Sequence, residues 1–403
     1  MNRPDPSSFI LTINGGSSSI KFALFRDTDS SAPVARGMVD RIGLSHSEML
    51  VTVTATQQPS RRTVHAPDHR TCVGFITEWL EQQVGTGHLR AVGHRVVHGG
   101  RTYTRPERVA PELLAELRRL CPYSPEHLPA EISLIESFHR YDSTLTHVAC
   151  FDTAFHRDMP WVARLLPIPR RYEKLGIQRY GFHGLSYAFL LRELKRVGVP
   201  GEAEGRIILA HLGNGASMAA VKNGKALDTT MGFTPTSGLP MSRRSGDLDP
   251  GIVSYLARTE GMTVERFHRM VNTESGLLGV SEVSSDMRDL LKQERSDPRA
   301  AEAVGLFCYQ ARKWIGALAT VLGGLDTLVF SAGIGEHAPA IRARICAGLE
   351  FLGIVINEPA NAVNHTIILA ENSRVRVRMI PTDEEREIAE SVALLLNNGN
   401  KDR

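Results

Sequence analysis

The sequence has few cysteines, no long apolar run and a polar N-terminus. Its 403 residues include five cysteines, none of them in Cys-x-x-Cys spacing. This pattern predicts reduced thiols and argues against a disulfide or zinc framework. No segment reaches the ~18 apolar residues that a membrane span requires, and the first residues, MNRPDPSS, lack an apolar signal region. We therefore expect a soluble, cytoplasmic protein.

An excess of charge of one sign is also missing. The net charge is +3, and no long basic or acidic run occurs. This balance argues against a dedicated nucleic-acid surface, although it would not repel an anionic metabolite. The length exceeds what one ordinary core accommodates, so we expect two domains.

The first conspicuous feature is the segment NGGSSSIKF, which follows the apolar run Phe9–Ile13. Asn-Gly between apolar segments predicts a β-hairpin. The return strand would place Ile20, Phe22 and Leu24 on one face. A hairpin alone requires neither three serines nor Lys21, so a solvated turn and a phosphate-binding turn both remain open.

The second half of the chain repeats this design. RIILAHLGNGASMAAV resembles FILTINGGSSSIKFAL, which indicates a duplicated domain. In the first half we predict a third strand around EMLVTVTA, a helix at about 69–84, a strand in RAVGHRVVHGG, a helix in PELLAELRRL and a buried strand, LTHVACFD, that ends on Asp152.

Three further elements complete an α/β pattern. They are a helix in GLFCYQARKWIGALATVLGGL, a strand in DTLVFSAGIGEH and a closing helix from about residue 383. Thr382 and Glu385 have capping-box spacing at the start of that helix.

The glycine motifs allow two interpretations. No P-loop occurs, but GIGEHA fits G-x-G-x-x-A, with Glu358 about twenty residues later, as in a dinucleotide fingerprint. Too few residues follow Gly335 for the rest of such a dehydrogenase. The glycines more readily allow backbone amides to approach a phosphate or a nucleoside.

Two histidines and a set of polar residues remain. His94 and His98 lie four apart, but the intervening valines predict a strand, so we reject zinc ligation there. The other polar residues lie at turns or strand ends. They are Lys21, Arg95, Asp152, His183, Asn214, Arg244, Asp286 and Glu384. Each could be structural, but together they match the requirements of phosphoryl transfer: a nucleotide cradle, Mg²⁺ and donors to the transferring group.

Seven blocks then show a family resemblance. INGGSSSIKF, GHRVVHGG, FDTAFH, YGFHGLS, HLGNGAS, DTTMGFTPTSGLPMSRRSGDLDP and IPTDEE resemble the acetate kinase family, in order and over nearly the whole chain. The resemblance implies duplicated ribonuclease-H-like βββαβαβα domains with a nucleotide cleft between two lobes. The N-terminal lobe would be 1–153, joined by the C-terminal helix 383–403. The nucleotide-binding lobe would be 154–382.

The resemblance also implies a reaction. It is the reversible, Mg²⁺- or Mn²⁺-dependent transfer of the ATP γ-phosphoryl group to acetate, giving acetyl phosphate and ADP, in a homodimer with no nucleic-acid or membrane partner. Three alternatives stay open: a propionate or other short-chain carboxylate kinase, a nucleotide switch of the heat-shock or actin kind, and an NAD-dependent dehydrogenase.

Site residues follow from the same resemblance. The metal-associated pair would be Asn14 and Glu384. The catalytic residues would be Arg95, Asp152, His183 and Arg244. The acyl substrate would contact Arg95, Val97, Tyr123, Phe182 and Pro235. The nucleotide would contact Lys21, His211, Leu212, Gly213, Asn214, Gly215, Asp286, Met287, Arg288, Gly333, Ile334, Gly335, Glu336 and His337.

One block departs from the family. Where the family commonly has APLHNP, residues 121–129 are CPYSPEHLP. Tyr123 replaces an aliphatic residue of the acyl pocket, and Ser124 replaces a histidine. The acyl-chain preference is therefore open, and the added volume predicts a small pocket.

Overall fold

A computed structural model describes residues 8–16 and 18–398. The chain forms two compact units. The first unit runs to Ala154 and resumes at Asp383, and the second unit consists of Phe155–Thr382. The last five positions of the predicted helix 383–403 lie outside the described residues. No helix in the described ranges is both long enough and apolar enough to span a membrane.

The first unit contains one eight-stranded sheet. Its strands are β1 (Phe9–Gly15), β2 (Ser19–Arg26), β3 (Asp29–Asp40), β4 (Ser47–Val53), β5 (Pro59–Val64), β6 (Leu89–Val96), β7 (Glu107–Arg108) and β8 (Thr146–Phe151). They lie in the order β5-β4-β3-β2-β1-β6-β8-β7. The first three helices of the chain are α1 (His69–Gln83), α2 (Pro111–Leu120) and α3 (Leu128–Tyr141).

The second unit contains a five-stranded sheet. Its strands are β9 (Ile207–Leu212), β10 (Ala216–Lys222), β11 (Lys225–Thr229), β12 (Thr327–Ser331) and β13 (Arg376–Met379), in the order β11-β10-β9-β12-β13. Its helices are α4 (Trp161–Arg164), α5 (Gly184–Val197), α6 (Gly251–Glu260), α7 (Val264–Arg269), α8 (Gly276–Ser281), α9 (Met287–Gln293), α10 (Pro298–Leu322), α11 (Ala332–His337), α12 (Pro339–Cys346) and α13 (Glu358–Ala362).

The two sheets share one topology. The strands β3-β2-β1-β6-β8 of the first unit correspond to β11-β10-β9-β12-β13 of the second. In each set the first three strands form an antiparallel meander. The last two, β6 and β8 or β12 and β13, run parallel to the first strand of the hairpin, which is β1 or β9. The duplicated α/β fold predicted from the two glycine turns is confirmed.

The predicted hairpin faces are correct. Ile20, Phe22 and Leu24 all belong to the apolar core of the first unit. The third strand was predicted wrongly: EMLVTVTA contributes to the fourth strand, and the third is β3. Its sequence contains Pro33, and its pairing with β2 shifts register near that residue, so it lacks a regular strand pattern.

Element boundaries differ from the predictions in three places. The long helix α10 begins at Pro298, capped by the Asp297 carboxylate, which accepts the Arg299 N–H at 2.9 Å. The strand predicted in DTLVFSAGIGEH ends at Ser331, because GIGEH lies in α11. The predicted capping box is wrong, since the Asp383 carboxylate accepts the Arg386 N–H at 3.0 Å.

The closing helix, α14 (Glu384–Asn398), completes the first unit. It packs against β1 and β6, and it lies so close to β6 that Gly93 cannot carry a side chain there. A Cβ on Gly93 would lie 2.5 Å from Ile388 Cγ2 and 2.7 Å from Val392 Cγ2. Glycine at this strand position therefore sets the distance between the helix and the sheet.

We expect Gly93→Ala to destabilise the protein, because the added methyl group overpacks the interface between β6 and α14. Overpacking of this kind costs about 1–3 kcal/mol. Gly74→Ala is the control: Gly74 lies in α1, nothing lies within 4 Å of its added Cβ, and alanine gains up to about 1 kcal/mol in a helix. Chemical denaturation of both variants tests this, and equal stability of the two would contradict the described packing.

Candidate functional site

In the first unit, the end of β1 carries an amide that contacts two carboxylates of α14. Asn14 Nδ2 lies 2.8 Å from Glu384 Oε2 and 3.4 Å from Glu385 Oε1. Lys21 pairs with Asn14 across the hairpin. Burial and the charge of Glu384 raise the pKa of Glu385, while Lys21 opposes that shift. The hairpin and the helix start thus share one charged cluster.

Arg95 and Asp152 form a buried ion pair next to that amide. Arg95 Nε and Nη2 donate to Asp152 Oδ2 at 3.1 and 2.6 Å, and Nη1 lies 3.4 Å from Asn14 Oδ1. The Asp152 side chain is fully buried. Burial would lower the pKa of Arg95, but the charges of Asp152 and Glu384 raise it above its ordinary value. Arg95 is therefore a fixed cation at the end of β6.

Sequence reasoning missed Glu131, which lies beside this pair. Its Oε2 accepts the backbone N–H of Val97 at 3.0 Å, and its Oε1 is buried with no hydrogen-bond partner among the described residues. Burial raises the pKa of Glu131 to about 8, although Arg95 opposes the rise. The available signal was an acid within the apolar stripe of α3, since residues 128, 131, 132 and 135 share one face.

The predicted acyl-pocket residues are divided between the two units. Val97 is buried in the first unit, where the Tyr123 ring lies 5.4 Å from that of His98. Phe182 is buried in the second unit. Pro235 is partly buried there, and its carbonyl oxygen accepts Arg244 Nη1 at 2.6 Å. Each unit thus contains apolar residues next to an arginine or a buried acid.

In the second unit, two histidines and an arginine meet at a glycine turn. His183 has φ +57° at the start of α5, and its Nδ1 lies 2.8 Å from Ser217 Oγ. Its ring stacks on that of His211 with 4.2 Å between centroids. A Cβ on Gly215 would lie 2.9 Å from both His183 Nε2 and Arg244 Nη2. Only glycine leaves room for these two groups.

A second glycine segment adjoins the same turn. A Cβ on Gly213 would lie 3.3 Å from that of Ala332 and 3.8 Å from Gly333 N. The turn is also held to the arginine segment, because Ser242 N–H donates to the Asn214 carbonyl at 3.1 Å. The structure therefore brings together residues 211–215, Arg244 and the start of α11.

Glu336 has a structural contact that the sequence did not indicate. Its Oε1 accepts the backbone N–H groups of Ala332 at 2.7 Å and Thr382 at 3.0 Å. Ala332 has φ +64°, a strained conformation for a residue with a Cβ. The Glu336 carboxylate thus stabilises the turn between β12 and α11. The neighbouring His337 is exposed.

The third predicted nucleotide segment begins α9. Asp286 caps this helix, accepting the Arg288 N–H at 2.8 Å, and the two side chains form an ion pair of 2.6 Å. The hydrogen bond from Arg288 lowers the pKa of Asp286. Met287 between them is buried. The pair presents an exposed guanidinium at the helix start.

The residues around Asn14 provide few ligands for a metal ion. Among the described residues, no group of three or more His, Cys, Asp or Glu side chains is arranged to hold a metal ion. Asn14 and Glu384 nevertheless offer an amide oxygen and a carboxylate. Mg²⁺ uses such oxygen ligands, and it commonly takes one or two from protein and the rest from water and substrate phosphates.

Comparison with known proteins gives a consistent result. The model of the acetokinase family matches residues 9–390. The chain is 42% identical to an acetate kinase of Rhodopseudomonas palustris (98% of this chain, 100% of the other) and 42% identical to a propionate kinase of Citrobacter rodentium (95% and 96%). The crystal structure of Porphyromonas gingivalis acetate kinase superposes with a TM-score of 0.87 at 36% identity, covering 96% of this chain and 100% of that one.

The buried acid predicts a pH-dependent stability. The pKa of Glu131 is 4.5 ordinarily and about 8 when folded. Between these values the folded protein retains a proton that the unfolded chain has released, so Glu131 lowers stability progressively as pH rises from 4.5 to 8. Glutamine has no such proton. The unfolding free energy of Glu131→Gln, relative to the unsubstituted protein, should therefore rise with pH across that window.

Denaturant titrations at several pH values measure this difference. Glu112→Gln is the control, because it exchanges a carboxylate for an amide at an exposed position at the start of α2. A pH-independent difference for Glu131→Gln would show that the carboxyl is ionised in the folded protein.

Proposed function

The chain belongs to the acetokinase family, and on that basis we propose that it transfers the γ-phosphoryl group of ATP reversibly to acetate, giving acetyl phosphate and ADP. The observation that best supports this reaction is the approach of His183 and Arg244 to Gly215, each 2.9 Å from the position of a Cβ there. A glycine turn with two donors beside it suits a phosphoryl group.

Charge repulsion is the main obstacle to this reaction. The acetate oxygen attacks the γ-phosphorus while the bond to the ADP oxygen breaks, and all three groups are anionic. Arg244 and His183 would neutralise charge on the transferring group, and Arg95 would bind the acetate carboxylate. The planar guanidinium suits both carboxylate and phosphoryl oxygens.

Asp152 would act by positioning Arg95 and not by removing a proton. Acetate, with a pKa of about 4–5, is already ionised at neutral pH, so the nucleophile requires no general base. The carboxylate of Asp152 receives two donors of Arg95 and is fully buried. It therefore fixes the direction in which the remaining N–H groups of Arg95 point.

Mg²⁺, or Mn²⁺, would be held by Asn14 and Glu384 together with substrate phosphates. When bound, such an ion neutralises phosphate charge during the transfer. Lys21, opposite Asn14 in the hairpin, would add a cation near the nucleotide. Residues 211–215, 286–288 and 333–337 would contact the nucleotide. We also propose a cytoplasmic homodimer with no nucleic-acid or membrane partner, which sedimentation and cell fractionation test.

The first experiment measures which carboxylate the protein prefers as its acyl substrate. Purified protein with ATP and Mg²⁺ is supplied with acetate, propionate or butyrate, and acyl phosphate is trapped with hydroxylamine. If Tyr123 lines the acyl pocket, as the family resemblance implies, it would narrow that pocket, and Pro122, Pro125 and Pro129 would restrict movement of its loop. One methylene changes kcat/KM by about 10- to 200-fold, so we expect acetate first, propionate second and butyrate close to inactive.

The competing assignment is a propionate kinase, which the equally similar Citrobacter relative favours. A higher kcat/KM for propionate than for acetate would establish it. No acyl phosphate from any of the three acids would overturn the proposed function.

We expect Arg95→Ala and Arg244→Ala each to lower kcat by about 10³-fold, because each removes a cation from the transition state. Arg105→Ala and Arg243→Ala are matched controls. Both side chains are exposed, and each lies close in the sequence to one of the two site arginines. Near-normal turnover in either site variant, with the controls unchanged, would show that the site is misassigned. Asp152→Asn should also lose activity, and a higher pH should not restore it.

A further inference from the structure

The first unit contains a cavity whose lining includes none of the site residues assigned above. It has a volume of about 500 Å³ and lies between the start of α2, the second half of α3 and the start of β8. Val109, Leu114, Ile135 and Leu145 provide apolar walls. This volume lies within the range of about 300–1,000 Å³ typical of small-molecule sites.

Cations predominate among the charged residues of the cavity. Arg108 and Arg140 line it, together with one acid, Glu136. Glu136 is already paired with Arg118, which lies outside the lining, at 2.5 Å. The charge of the acid is thus largely compensated, and the two arginines leave the cavity net positive.

A buried histidine pair forms part of the wall of the cavity. His147 lines the cavity, is 5% exposed, and its Nδ1 lies 3.0 Å from His94 Nε2. His94 Nδ1 and His147 Nε2 are buried and have no hydrogen-bond partner in the described part of the chain. Burial lowers the pKa of both rings, so each is neutral and carries one proton.

The hydrogen bond between the two rings can run in either direction. If His147 Nδ1–H donates, the proton of His94 is on its buried Nδ1, and if His94 Nε2–H donates, the proton of His147 is on its buried Nε2. Either direction leaves one buried N–H without an acceptor among the described residues. The pair therefore adds no charge to the wall of the cavity, and the charge there comes from the arginines.

We propose that this cavity is a binding site for a small organic anion, with a carboxylate or phosphate group and an apolar body. The anionic group is neutralised by Arg108 and Arg140, which line the cavity. The apolar body lies against the aliphatic walls. This site is independent of the proposed kinase reaction, because it uses neither its residues nor its substrates.

The site lies on the opposite side of β6 from the Arg95 ion pair. His94 and Arg95 are consecutive residues of β6, so their side chains point to opposite faces of the sheet. His147 and Asp152 belong to β8 and the turn that follows it. An anion in the cavity therefore cannot be the anion that Arg95 would bind.

Benzoate is a suitable probe, because it combines a carboxylate with a rigid apolar ring. Calorimetric titration of the full chain should give saturable binding at one site. The double variant Arg108→Ala/Arg140→Ala should weaken benzoate affinity by about tenfold or more, since charged hydrogen bonds of this kind are worth that much or more. Arg105→Ala, an exposed arginine outside the lining, is the control and should bind benzoate normally.

A second measurement concerns the histidine itself. In NMR spectra, benzoate should shift the ring resonances of His147, because this side chain lines the cavity. Undiminished affinity in the arginine double variant would overturn the proposal. So would loss of benzoate binding in Arg95→Ala with retention in the double variant, because the probe would then occupy the acyl site.

Discussion

The buried contact between Arg95 and Asp152 organises the polar residues of the first unit. A buried arginine requires a partner, and removing one member of such a pair commonly costs several kcal/mol. Because Asp152 follows β8 directly and Arg95 is the residue before the last in β6, neighbouring parallel strands supply the two charges. Asn14 at the end of β1 extends the same row to Glu384. The charged cluster is therefore a consequence of strand order.

The second unit has the same strand topology, but different residues lie at its hairpin turn. Its hairpin ends in a turn where Gly215 admits His183 and Arg244, and Gly213 admits the start of α11. The first unit concentrates carboxylates and an arginine, while the second concentrates glycine backbone and histidines. Duplication has thus provided two copies of one sheet whose hairpin turns differ in chemistry.

Much of this arrangement could be predicted from sequence, because turn residues and alternation act locally. The two hairpins and the helices α1 and α2 are examples. Contacts between distant residues could not: Thr382 donates its backbone N–H to Glu336 Oε1, and Asp383 caps the last helix. The ionisation of Glu131 likewise depends on burial, which its position in an apolar stripe suggests but does not determine. The strand β3 contains a proline and a shift of register, so it lacks the regular alternation of apolar and polar residues that predicts a strand.

The return of the chain to the first unit has a consequence for biosynthesis. Asn14 and Glu384 are 370 positions apart, and the face of β6 around Gly93 is covered by Ile388 and Val392. On the ribosome, the continuous second unit is complete before α14 has been made. The first unit therefore remains incomplete, with an apolar face of β6 uncovered, while more than half of the chain is translated. The part of the protein that is synthesised first is thus the last to finish folding, and it is the part that requires protection from nascent-chain aggregation.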